Sequence, residues 1–109
     1  MEIRLVYQGN AVNTAYRAEI NASYKALVKL LGQPNSRGDG CKIDAEWVIE
    51  INGKIMTIYN WKDGQNYLGR HGLPISKITQ WHIGGHKGID FQKEINFLLK
   101  QLKPKSWKN

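Results

Sequence analysis

Cysteine is nearly missing from this chain. Cys41 is the only one in 109 residues, so no intrachain disulfide can form and a stapled framework is excluded. That favours a reducing compartment. Acidic residues are also scarce, nine against sixteen Lys and Arg, which gives a net charge of +7 and a pI near 9.6. An acidic mimic of nucleic acid is therefore excluded, and an anionic partner is favoured: nucleotide, nucleic acid or an acidic protein surface. Long apolar runs are absent, none approaching the roughly 20 residues of a membrane span. The opening residues Met1 to Tyr7 are too short and too polar for a signal peptide, so the cytoplasm is the expected setting, with no membrane partner. There is no internal repeat, heptad run or low-complexity segment.

What is present is enough for a core. Apolar residues make up 41% of the chain, and the length suits one domain over residues 1–109. The clearest local signal is Asn52-Gly53 between two alternating apolar runs. A type I′ turn needs positive φ at both central residues, and Asn-Gly supplies them. Ile51 then pairs with Lys54. One hairpin face carries Ile43, Ala45, Trp47, Ile49, Ile51, Met56 and Ile58, which is core. The other carries Asp44, Glu46, Val48 and Glu50 beside Ile55, Thr57, Tyr59 and Trp61. This register sets Glu46 across from Tyr59 and Asp44 across from Trp61, an unusual surface for a merely solvated strand.

Around the hairpin, Glu2–Tyr7 alternates as a first strand. Tyr16, Ile20, Leu27 and Leu31 recur at helical spacing, widened by Tyr24, Ala26 and Leu30. The spacing predicts a helix from about Thr14, capped by Asn13 or Thr14, to Gly32-Pro34. Residues 35–40 form a loop, and Asp63–Pro74 is a longer connection of the kind that often carries function. Thr79–Ile83 is a further strand closing at Gly84-Gly85. A last helix starts near Asp90 with a Phe91, Ile95, Leu98, Leu99, Leu102 stripe and stops at Pro104. The order β-α-β-β-β-α predicts an α+β fold, a small, mostly antiparallel sheet with two amphipathic helices on one face. Lys100, Lys103, Lys105 and Lys108 complement the dipole at that helix end.

Three blocks carry a resemblance: Asp44-Ala45-Glu46-Trp47, Thr57-Ile58-Tyr59-Asn60-Trp61-Lys62 and Trp81-His82-Ile83-Gly84-Gly85. In this order, from about Leu31 to Gly85, the chain resembles a family of small, mostly uncharacterised bacteriophage proteins. The resemblance implies a phage or prophage origin, and compact proteins of this kind often counter host defences.

The ligand-binding residues expected from the sequence are Asp44, Glu46, Thr57, Tyr59, Trp61, Lys62, Tyr67, Arg70, His71 and His82. Aromatic rings stack on bases, Lys and Arg neutralise phosphates, and carboxylates accept from base amino groups. Gly84-Gly85-His86-Lys87-Gly88 before the last helix could hold a phosphate, although turn glycines explain it equally well. His82 and His86 are separated by glycines and no Cys pair supports zinc, so no metal or other cofactor is expected. Asp44 and Glu46 lie about 6.6 Å apart by strand rise. That could suit Mg²⁺-assisted cleavage, yet no nuclease spacing is present and no catalytic residue is expected. The leading expectation is a non-enzymatic binder of a nucleotide-like anion, in concrete form a homo-oligomeric sponge for a cyclic nucleotide immune signal. The alternatives are an inhibitor that docks on a host defence protein and a general nucleic-acid-binding protein.

Overall fold

The computed structural model describes residues 1–103, so Pro104, Lys105 and Lys108 lie outside the described residues. Five strands form one open antiparallel sheet: β1 (Ile3–Leu5), β2 (Ala15–Asn21), β3 (Glu46–Ile51), β4 (Lys54–Tyr59) and β5 (Gln80–Gly85), in the order β1-β3-β4-β5-β2. The helices are α1 (Tyr24–Leu31), a single turn α2 (Gln65–Leu68) and α3 (Gln92–Leu102). The α+β class is as expected. The hairpin is also as expected, with Ile51 opposite Lys54, Glu46 opposite Tyr59, and φ of 55° and 78° at Asn52 and Gly53.

The inward face of the hairpin packs as its alternation requires. Trp47, Ile49, Ile51, Met56 and Ile58 are sealed, and Leu27, Leu31 and Leu98 from α1 and α3 complete the cluster with Trp81 and Ile83. Trp47 and Trp81 meet edge to face, centroids 5.3 Å apart. Their indole N–H groups donate to the Gly32 and Ala22 carbonyls, both at 2.9 Å. These bonds satisfy the only polar atom of each buried indole.

The expected first helix is corrected. Residues 15–21 are the edge strand β2, and α1 begins at Tyr24 behind Ser23, whose Oγ accepts the Ala26 N–H at 3.0 Å. Asn13 is not a helix cap but a turn residue at φ 66°. A register shift at Arg17 breaks the strand's period of two. It leaves Ala18 and Ile20 against the core and Tyr16 and Glu19 outside. The chain is therefore β-β-α-β-β-α-β-α, not β-α-β-β-β-α. The first strand is shorter than read, and the last begins at Gln80.

Because β1 and β2 lie at opposite edges, the segment between them must cross the sheet. Its 3₁₀ turn, Gln8–Ala11, runs over β3 and β4. Helices α1 and α3 occupy the inward face, so this crossover covers the outer one, and Val48 and Thr57 are buried beneath it. Helix α3 contributes a feature the apolar stripe did not predict. Glu94 is fully buried, and its carboxylate accepts from Lys54 Nζ at 3.0 Å and Asn52 Nδ2 at 3.3 Å.

Candidate functional site

Beyond the crossover the outer face opens onto a cluster of rings. Tyr59 ends β4, and His82 on β5 is its cross-strand partner. Tyr16 on β2 reaches His82 from the other side, with centroids 4.8 Å apart. Trp61 follows two residues after Tyr59, where the chain leaves the sheet. The rings of Trp61 and His82 face each other at 24° with centroids 6.4 Å apart. Tyr59 stands nearly perpendicular to both, 6.2 Å from Trp61 and 5.4 Å from His82. The result is a slot with two near-parallel walls and an aromatic floor, opening as a cleft of about 440 Å³. Trp61 keeps 40% of its surface exposed and Tyr16 54%.

Gly84 makes room for this arrangement. A Cβ there would lie 2.3 Å from the Thr57 hydroxyl and 3.3 Å from the Tyr59 ring. Gly85 faces inward, where a Cβ would strike Phe91 at 2.3 Å. These glycines serve close packing inside β5. They are the last two residues of the strand, which closes there as expected, and α3 starts only at Gln92, so the expected phosphate loop is not at a helix entry.

Two lysines sit beside the slot. Lys42 Nζ and Lys62 Nζ lie 5.8 and 5.7 Å from the Trp61 ring centroid, within cation–π range. The chain at Lys62 turns through φ 64°, and its amine also lies 5.6 Å from the Tyr67 ring. Glu19 Oε2 is 3.7 Å from His82 Nε2. Burial, then the nearby Glu46 carboxylate and Tyr16, push the Tyr59 hydroxyl above its ordinary pKa of 10.0, so it stays protonated at neutral pH.

The other expected residues fall elsewhere. Thr57 is 1% exposed beneath the crossover and cannot meet a ligand there. Asp44 does not stand opposite Trp61, because strand pairing stops at Glu46 and Tyr59. Its oxygens are occupied: Asn60 Nδ2 donates to one at 2.8 Å and the Asn66 N–H to the other at 3.1 Å. Asn60, itself buried, accepts from the Asp44 and Ala45 N–H groups and also donates to Asp63. Asp44 thus fastens the loop after the hairpin. Arg70 and His71 are exposed in a 3₁₀ turn of that loop and do not line the slot. Glu46 lies on the far side of Tyr59 and accepts the Ser36 hydroxyl at 2.6 Å. Burial raises its pKa above 4.5, the Ser36 bond opposes this, and the charge of Asp39 adds to it.

No protein-family model, curated protein or solved structure matches this chain. The site therefore rests on its own geometry. Among the described residues no three His, Cys, Asp or Glu side chains converge as a metal centre would require. No described helix is long and apolar enough to cross a membrane.

Tyr16 and Lys42 were not among the residues expected from the sequence. Tyr16 was hidden by the bulge, since Tyr16 and Ile20 fit a helical i, i+4 spacing as well as a shifted strand. Lys42 precedes the strand, and only the loop closed by Asp39 brings its amine back over Trp61. One Asp39 carboxylate oxygen accepts the N–H groups of Cys41, Lys42 and Ile43. These bonds, led by that from Cys41, outweigh burial and hold the acid below its ordinary pKa of 3.8.

Proposed function

We propose that this protein binds a nucleotide-type anion, stacking its base between Trp61 and His82, and does not transform it. The observation that carries this reading is the slot itself. Trp61 and His82 present rings inclined by only 24° with centroids 6.4 Å apart, and they share an open cleft with Tyr16 and Tyr59 in which a flat base can stack. Tyr59 would meet the base edge-on, and Lys42 and Lys62 would meet the phosphate. Each stacked base contributes about 1–3 kcal/mol, and exposed ammonium groups add modest attraction that salt screens.

In its most concrete form this is a phage anti-defence protein that sequesters a cyclic nucleotide signal, a homo-oligomer enclosing its ligand. That step rests on the resemblance of the three sequence blocks. Calorimetric titration with ribonucleoside monophosphates and cyclic di- and trinucleotides tests the reading. Binding of at least one, weakened tenfold or more by Trp61→Ala, is expected. A uniformly null panel would remove it.

A second reading has its own observation. Tyr67, Leu68 and Leu73 on the loop after the hairpin are each close to half exposed, which suits docking on a host protein. A stable host partner in pull-down, together with no small ligand, would favour that inhibitor.

A further inference from the structure

Tyr59 separates the slot from a second concavity. On its far side a shallow, open crevice of about 550 Å³ lies between the crossover and the loop before β3. Its walls include Tyr7, Gly9, Thr14, Ser36 and Glu46. The Tyr7 ring packs against Gly9, where a Cβ would come within 2.4 Å of the ring, and Tyr7 remains 77% exposed. Glu46, half-buried, is one of its lining residues. It is directly opposite Tyr59 across the β3–β4 ladder, and opposed side chains in such pairs have Cβ atoms about 5 Å apart.

Lys42 connects the two places. Its neighbour Ile43 lines the crevice, as does Asp39, while its own amine reaches over Trp61. The outer face thus carries an aromatic slot, an ammonium group over one wall of it, and a neighbouring open crevice lined by Tyr7 and Glu46.

We infer that the crevice is a second base subsite. Its ligand class is two nucleobases joined through phosphate, with the second base carrying an exocyclic amino group. This rests on the reading of the slot given above. The first base stacks between Trp61 and His82, the bridging phosphate meets Lys42, and the second base lies against Tyr7. Its amino group donates to Glu46, whose carboxylate offers only acceptors when ionised. Adenine, cytosine and guanine can make that bond and uracil cannot.

The same two-base chemistry occurs in linear oligonucleotides and in cyclic dinucleotides. Titration calorimetry with AMP, the linear dinucleotide pApA, its counterpart pUpU and cyclic di-AMP separates these cases. The expected result is that pApA or cyclic di-AMP binds at least tenfold more tightly than AMP, and that pApA exceeds pUpU by a similar factor. Preference for the linear or the cyclic form identifies the source. Glu46→Gln keeps a partner for Ser36 and should cut the pApA-to-pUpU ratio severalfold, while Tyr7→Ala should shrink the gap between pApA and AMP. Equal affinity for AMP and both adenine dinucleotides would overturn the second subsite and leave the slot standing. Failure of all four ligands to bind would overturn the slot and the subsite together.

Discussion

Glu94 is the residue with the most to lose. It is sealed in the interface between α3 and the hairpin turn, where burial alone would raise its pKa. The hydrogen bonds from Lys54 and Asn52 and the charge of Lys54 outweigh that, holding the carboxyl below its ordinary 4.5. The ionised form is therefore favoured by folding. Its contribution is fully present above pH 4.5 and is lost as pH falls through the lowered value. Glu94→Ala takes the carboxylate from Lys54 and should cost about 2–3 kcal/mol by urea unfolding at pH 7, less than a wholly sealed pair because Lys54 keeps the Asp90 carbonyl at 2.7 Å and some solvent contact. The deficit should shrink towards pH 3. Glu46 has the opposite sign. Its raised pKa means the folded chain binds the proton more tightly, so stability falls as pH rises from 4.5 through the raised value. Glu46→Gln should leave stability at pH 7 unchanged or higher, and a Tm series from pH 4 to 7 would show it.

Among the elements, the loop after the hairpin depends on an unusually dense join. Asn60 makes four hydrogen bonds, to Asp44 N, Ala45 N and the carboxylates of Asp44 and Asp63. Asn60→Ala leaves buried N–H groups without partners and should cost about 2–4 kcal/mol in denaturant unfolding. Gly64 has ordinary backbone angles, but a Cβ would lie 2.0 Å from Oδ1 of the Asp44 carboxylate, which Asn60 holds at Oδ1 and the Asn66 N–H at Oδ2. Gly64→Ala should therefore cost about 1–3 kcal/mol and loosen the Trp61–Lys62 segment at the same time. The hairpin was legible in the sequence because one turn dipeptide and one uninterrupted alternation fix its register, and the register fixes which of Tyr59 and Trp47 faces out. Trp61 and His82 were expected as ligand residues from their ring chemistry and not from that register, since pairing stops at Tyr59 and His82 lies on β5. Strand β2 was not legible, because the bulge at Arg17 shifts its pattern by one residue into a spacing that a helix also satisfies. The crossover over Val48 and Thr57 was invisible for a different reason. Only strand order shows that β1 and β2 sit at opposite edges, and strand order is a long-range property that alternation does not encode.

For the whole molecule, the +7 charge raises the question of whether an anion is held by the slot or merely attracted to the surface. Salt dependence distinguishes the two. With Lys42 and Lys62 as the phosphate contacts, log K for a short oligonucleotide should fall with log salt at a slope of about −1.4. A slope steeper than about −4 would mean that the basic surface as a whole is the binding element. The most direct measurement is a crystal structure of the protein soaked with AMP. The account predicts density for the adenine ring between Trp61 and His82, with Tyr59 at its edge and the phosphate beside Lys42 or Lys62. Adenine bound elsewhere on the chain, with those two rings still facing each other across a closed gap, would contradict it.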